Sequence, residues 1–247
     1  MRLALISDLH ANAEAFSTLT DLLDAADRVV CLGDVVGYYC QVNETIDLLR
    51  RYDPLCLLGN HDYFLLHGCE GNYPDSVRFG VQYARRVITE DNLAWLAERP
   101  HVWGGEIGGL SCLFFHGSPW QPIEHYLYAD NPRLSQLDEF EYDLIAFGQT
   151  HRPLMRLDKR PALINPGSVG QSRDVRTYGR ACAVILDTET MQAESIIRDY
   201  DMKAVIAEAL SHGAGEWALK FLGPGEALSS SASSEGKSGQ PSSVLGL

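Results

Sequence analysis

Side chains able to ligate a cation or move a proton recur in this chain in five short clusters, each directly after an apolar run. The clusters are Asp8-Leu9-His10, Gly33-Asp34-Val35-Val36-Gly37, Gly59-Asn60-His61-Asp62, Phe115-His116-Gly117 and Gly148-Gln149-Thr150-His151. A carboxylate such as Asp34 has two oxygens that can neutralise two cations, and imidazoles add nitrogen donors that favour Mn, Fe, Zn, Co or Ni over Mg or Ca. Two such cations about 3.5–4 Å apart can lower the pKa of a bridging water until hydroxide is available near neutral pH. The clusters hold no Ser or Cys placed as a nucleophile. Attack by a metal-activated water, without a covalent intermediate, is therefore the expected chemistry.

Taken singly, each cluster has a plainer reading. Asp8 or Asp34 would cap a helix, Gly59-Asn60 would be a turn and His116 a satisfied core histidine. Their joint recurrence singles them out, because ligand-facing groups in α/β sheets lie just beyond the carboxyl ends of the strands. The strands expected here are residues 3–7, 28–32, 54–58, 111–115 and 143–147. Helical spacing of apolar residues predicts helices over 11–25 and 42–51, giving βαβ units with parallel strands in the first half. Residues 63–100 form a helical insertion near the site, with helices over 76–87 and 89–98 and an N-cap at Thr89. Gly108-Gly109 and residues 187–190 predict hairpins, so the second half is richer in antiparallel strands. A last helix is expected over 203–221.

The order and spacing of the five clusters resemble the calcineurin-like metallophosphoesterase superfamily, in its bacterial phosphodiesterase/phosphatase branch. The family pattern is Asp-x-His, Gly-Asp-x-x-Gly/Asp, Gly-Asn-His-Asp/Glu, a lone His, then Gly-His-x-His, and the likeness runs from Met1 to about Tyr200. It implies an α/β fold of two facing mixed β-sheets flanked by helices, a four-layer αββα sandwich over residues 1–222. It also implies two divalent transition-metal ions, Mn foremost, with Fe, Zn, Ni or Co as alternatives. Asp8, His10, Asp34 and His151 would hold one ion, and Asp34 would bridge to a second held by Asn60, His116 and Gln149. Gln149 stands where the family has the first His of Gly-His-x-His, so the second ion is expected to bind more weakly. His61 matches the family position that hydrogen-bonds the phosphate and protonates the leaving oxygen, and Asp62 beside it would orient that imidazole or raise its pKa. The segment from Asn165 to Arg173 also resembles a recurring stretch of the bacterial branch, and Arg173 would make a forked contact with phosphate.

Composition sets the remaining bounds. The 247 residues are 45% apolar and 21% charged, which describes an ordinary globular chain with one principal domain. A net charge of −13 argues against holding long nucleic acid, whose binding depends on neutralising phosphates. The six cysteines form no C-x-x-C pair and suit small buried hydrophobes in a reducing cytoplasm. Neither a signal peptide nor a bilayer-spanning run is evident, so a cytoplasmic location with no membrane partner is expected. Residues 223–247 are mostly Gly, Pro and Ser, and are expected to be a disordered tail. Between Arg152 and Arg180 stand Arg152, Arg156, Lys159, Arg160, Arg173, Arg176 and Arg180, opposed only by Asp158 and Asp174. That stretch is either a substrate-facing surface or a solvated strand face.

The function expected is dinuclear metal-dependent hydrolysis of a small phosphodiester, nucleotide or phosphomonoester, or of a phosphoprotein. The alternative is a scaffold that keeps the fold and metal but binds partner proteins. His61, which scaffold-type relatives tend to lack, discriminates between them. Neither reading specifies an oligomeric state.

Overall fold

The computed structural model describes residues 1–222, so the predicted tail at 223–247 lies outside the described residues. Two five-stranded sheets face one another. The first contains β1 (Arg2–Ile6), β2 (Arg28–Cys31), β3 (Leu55–Cys56), β9 (Arg180–Asp187) and β10 (Ala193–Asp199), in the order β10-β9-β1-β2-β3. The second contains β4 (Val102–Ile107), β5 (Leu110–Phe115), β6 (Leu144–Ala146), β7 (Leu154–Arg156) and β8 (Ala162–Asn165), in the order β4-β5-β6-β8-β7. Both sheets are mixed: β1-β2-β3 and β5-β6-β8 run parallel, while β9, β10, β4 and β7 are antiparallel to their neighbours. The expected fold class is the observed one.

The two-residue period of a strand explains why the first sheet is apolar on both faces. Leu3, Leu5, Val30 and Leu32 point inward and meet Phe114, Leu144, Ala146 and Ile164 of the other sheet. Ala4, Ile6, Val29 and Cys31 point the other way, onto the helical layer. Burying a Leu or Ile side chain fully is worth about 1.5–3 kcal/mol, so this inter-sheet layer fixes the separation across which the site is built. The outer helices are α1 (Ala13–Ser17), α2 (Thr20–Asp24), α3 (Val42–Arg50), α4 (Asn60–His67), α5 (Asp75–Val87), α6 (Glu90–Ala97) and α7 (Met202–Ser211). On the far side of the second sheet, Leu113, Phe115, Ile145, Phe147 and Leu163 pack against Leu127 and Leu137, the latter on a 3-10 turn, Pro132–Glu139.

Three expected elements differ. The helix over 11–25 is two short helices, because the hydroxyls of Ser17 and Thr18 donate back to the carbonyls of Glu14 and Ala15 and divert the chain at the junction. The helix over 203–221 stops at Ser211. Gly213 takes φ +93°, and the chain resumes as a 3-10 turn, Glu216–Phe221. In the 63–100 insertion a third helix, α4, begins at Asn60 within the cluster itself. No helix of the described residues is long and apolar enough to cross a membrane.

Candidate metal centre

The carboxyl ends of β1, β2, β5 and β6 deliver Asp8 and His10, Asp34, His116, and Gln149 with His151, respectively, to one point between the sheets. Backbone hydrogen bonds continue past the strands and hold these loops together. Asp8 N–H donates to Gly33 O at 2.9 Å, His10 N–H to Asp34 O at 3.0 Å, and Gly148 N–H to His116 O at 2.9 Å. The loop after β8 closes over Asp8, whose carbonyl accepts from Ser168 Oγ at 2.7 Å and Gly170 N–H at 3.0 Å. Five of the seven expected ligands, Asp8, His10, Asp34, Gln149 and His151, have φ between +52° and +65°. Left-handed backbone costs a non-glycine residue about 1–3 kcal/mol and persists only where surrounding structure imposes it. Here it turns successive side chains inward from very short loops.

Three imidazoles converge with the same ring atom. His10 Nδ1 lies 3.2 Å from Val36 O, His116 Nδ1 2.8 Å from Leu32 O, and His151 Nδ1 2.6 Å from Gln171 O. Each carbonyl holds the proton on Nδ1 and leaves Nε2 as a lone pair aimed at the centre, the arrangement that orients metal-ligating histidines. Those nitrogens stand close to carboxylate oxygens: His151 Nε2 is 3.2 Å from Asp8 Oδ1, and His10 and His116 Nε2 are 3.7 and 3.4 Å from Asp34 Oδ2. His10 Nε2 and His151 Nε2 are 2.9 Å apart. The ligand atoms of Asp8, His10, Asp34 and His151 all lie within 4.8 Å of one another. Among the described residues, both oxygens of Asp8, His116 Nε2 and Gln149 Oε1 are buried without a hydrogen-bond partner. A cavity floor of unpartnered acceptors is costly unless a cation sits among them, so the donor set fits divalent metal.

Electrostatics agree with that fit. Burial, reinforced by His151, pushes His10 well below the ordinary histidine value, and burial with Arg173 lowers His151, so both are neutral donors. Burial alone would raise the Asp34 carboxyl, but His116 and then His61 hold it well below the usual range. Burial opposes charge on His116 too, yet Asp34 raises it to about 10. Each favours the charged form of the other, and a divalent cation bound between them would displace the proton from His116 Nε2.

His61, on α4, is pushed down to about 4 by burial, against the pull of Asp34. Its Nδ1 has no hydrogen-bond partner among the described residues. The expectation that Asp62 orients this ring does not hold. Both Asp62 oxygens are taken by backbone amides, of Val35 at 3.2 Å, Val36 at 3.0 Å and Gly59 at 3.0 Å. Asp62 therefore caps α4 and ties it to the Asp34 loop, while burial and the charge of Asp34 raise its carboxyl to about 7. Asn60 opens α4 at the same point, and Asp34 Oδ1 accepts from His61 N–H at 2.8 Å.

A cavity of about 360 Å³ opens over Asn60, His61 and Gln149, walled in part by Tyr38, Tyr126 and Arg173. Tyr38 was invisible to motif reasoning. It follows Gly37, takes φ +56°, and lays its ring 4.6 Å from both His10 and His61. A bulky residue in that conformation is a backbone outlier worth noticing, and no sequence signal marks it. Gly37 permits the approach, since a Cβ there would stand 2.2 Å from His61 Nδ1. Arg173 donates to Tyr38 Oη at 2.7 Å and Gln171 Oε1 at 3.1 Å, and among the described residues it has no carboxylate within ion-pair distance. The other basic residues of its stretch mostly do: Arg156 and Lys159 meet Asp138, Arg160 meets Asp143, Arg176 meets Asp174 and Arg180 meets Asp199. Arg152 lies over the Tyr128 ring at 5.4 Å. The stretch is thus largely a paired surface, and Arg173 is the cation it gives to the cavity.

Comparison with known proteins matches residues 1–191 to the model of the calcineurin-like phosphoesterase superfamily domain. An uncharacterized protein of Methanocaldococcus jannaschii is 32% identical over 235 residues, 87% of this chain and 94% of that protein. The crystal structure of a metallophosphoesterase from Sphaerobacter thermophilus superposes with a TM-score of 0.76 at 26% identity, covering 90% of this chain and 98% of that one. A hypothetical protein from Pyrococcus horikoshii shares the fold, with a TM-score of 0.77 at 18% identity over 89% of this chain and 96% of that one.

Proposed function

The chain belongs to the calcineurin-like phosphoesterase superfamily and is a metal-dependent phosphoesterase, and from that premise we propose that it cleaves a small phosphoester at two adjacent divalent ions. Asp8, His10, Asp34 and His151 would hold one ion, and Asp34, Asn60, His116 and Gln149 would hold its neighbour, with Mn the ion that the family resemblance puts foremost. Bound there, such ions supply a nucleophile from water near neutral pH and neutralise phosphoryl oxygens. The observation that carries this reading is the placement of Asp34 Oδ2, 3.7 Å from His10 Nε2 and 3.4 Å from His116 Nε2, nearer to both than Asp8 Oδ1 at 3.8 and 3.9 Å. One carboxylate oxygen between two imidazoles that belong to different ligand sets suits a bridge.

Arg173 lies in the cavity wall and offers a permanent positive charge to the phosphate oxygens pointing away from the centre. Burial favours the neutral form of His61, and an arriving phosphate supplies the negative charge that favours its protonated form. It is then placed to give a proton to the departing oxygen. The test strips the protein of metal, reloads it with Mn, Ni, Co, Zn or Mg, and follows metal stoichiometry beside turnover of a phosphoester panel. Turnover that rises with the second equivalent supports the proposal. Full turnover at one equivalent would remove the two-ion mechanism, and firm metal binding without hydrolysis of any ester would favour the scaffold alternative.

A further inference from the structure

The cavity above the centre has a wall whose chemistry selects among phosphoesters. Beyond Tyr38 and Tyr126 it is lined by Tyr73 and Phe221, so four aromatic rings surround the space into which the group beyond phosphorus must project. These rings are held in place. Tyr126 is backed by Tyr128 at 5.7 Å with the planes 12° apart, Tyr73 packs on Phe64 at 4.6 Å, and Tyr38 is flanked by Trp217 and Phe221 at 6.3 and 6.5 Å. Rigid aromatic faces accept flat rings by stacking without regard to the details of their edges. An edge-reading group is also present: Glu124 lines the same cavity and accepts from Tyr73 Oη through Oε1 at 2.8 Å, leaving Oε2 as an acceptor. That carboxylate disfavours a further phosphate and favours an N–H donor. Arg173, with no carboxylate partner, is the complementary group for the phosphate itself. At about 360 Å³ the cavity sits at the small end of small-molecule sites, which suits one nucleoside and not a strand.

We propose that the group bonded to the scissile phosphate is a nucleoside whose base carries an exocyclic amino group, stacked among Tyr38, Tyr73, Tyr126 and Phe221 and read by Glu124. This rests on the phosphoesterase reading above. The cleavage is a plain hydrolysis: the water oxygen bonds to phosphorus with one hydrogen retained, the bond from phosphorus to the nucleoside oxygen breaks, and the second water proton ends on that oxygen by way of His61.

The experiment uses the full chain loaded with Mn and measures kcat/KM for adenosine, cytidine and uridine monophosphates and for glycerol phosphate, each also as its methyl diester. Calorimetric binding of the same compounds to the Tyr126→Ala and wild-type proteins runs in parallel. Adenosine and cytidine esters should exceed glycerol esters by roughly tenfold or more, the scale of one base–aromatic stack, and Tyr126→Ala should collapse that ratio. Uridine esters should fall several-fold below the amino-bearing bases, because the one ring N–H of uracil is flanked by two carbonyl oxygens that repel the Glu124 carboxylate. Hydrolysis of glycerol and nucleoside esters at equal rates, or equal losses for both in Tyr126→Ala, would overturn the nucleoside assignment while leaving the phosphoesterase intact. Parity of uridine with adenosine would overturn the role of Glu124. Binding of adenosine monophosphate that depends on Tyr126, in a protein that cleaves none of the esters, would keep the pocket assignment and remove the catalytic one.

Discussion

Asp8, His10, Asp34 and His151 bring two carboxylates and two imidazoles to within 4.8 Å of one another, whereas the adjoining position shares Asp34 but is completed by one imidazole, His116, and the amides of Asn60 and Gln149. Both halves lie at strand carboxyl ends and both are buried. They differ in charge and in donor type. A neutral amide oxygen is a weak ligand that forfeits the nitrogen preference by which a site retains late first-row ions. On the two-ion reading proposed above, one scaffold would build two adjacent sites of unequal hold by changing a single ligand, with Asp34 kept as the shared carboxylate.

The harshest way to break the contrast is to remove what the halves share. Asp34→Asn should abolish turnover and bound metal while the fold survives, because two adjacent cations would lose the carboxylate oxygen that stands nearer than Asp8 Oδ1 to both His10 and His116 Nε2. Elemental analysis with a turnover assay checks this, and normal turnover would refute the bridge. His61 belongs to neither half. General acid catalysis contributes roughly 10²- to 10⁴-fold and matters most for strongly basic leaving groups, so His61→Ala should slow an alkyl ester far more than a nitrophenyl ester. Equal losses on both esters would leave His61 a phosphate-binding residue only.

Asp62 separates position from chemistry. Its carboxylate satisfies three buried amides that link the Asp34 loop to α4, so Asp62→Ala should lower stability by about 3 kcal/mol, seen as a reduced denaturant midpoint. Its loss should not show the leaving-group dependence of His61→Ala. Gln149→His sharpens the comparison directly by restoring an imidazole to the weaker half. Affinity there should rise roughly tenfold or more, the scale at which ligand surroundings tune metal sites. Wild type should lose the second equivalent on dialysis and the Gln149→His variant should retain it. Two equivalents surviving dialysis in wild type would show that Gln149 ligates as well as His. The smallest effect is expected from shortening the chain to end at Gly223. Residues 224–247 are rich in Gly, Pro and Ser and carry none of the five ligand clusters, so stoichiometry and turnover in both halves should be unchanged.

Much of this centre was legible in the sequence, for a reason that particular residues make clear. Asp8, Asp34 and His116 each follow an apolar run of alternating or continuous burial, and a strand-to-loop boundary needs only a few neighbouring residues to be recognised. The sequence also carried the departure at Gln149. Asp62 was misjudged, because adjacency to His61 along the chain suggested contact, whereas on a helix residues one apart point to different sides. The basic stretch was ambiguous for a similar reason: Asp138 and Asp143, which occupy Arg156, Lys159 and Arg160, lie many residues away.

By itself, then, the sequence determined the kinds of ligand, their order, the alternation of strand and loop that presents them, and the substitution of an amide for one imidazole. These are local properties, set by side-chain chemistry and by periods of two and 3.6 residues. Tertiary structure alone decided that His10 and His151, 141 positions apart, meet at 2.9 Å, that carbonyls of Val36, Leu32 and Gln171 aim three Nε2 atoms inward, and that Tyr38 and Phe221 wall one cavity. Those outcomes depend on how closely two sheets pack across a shared apolar layer and on backbone turned left-handed under that packing. No short stretch of chain contains that distance, because it is fixed by the volume of side chains drawn from both sheets at once.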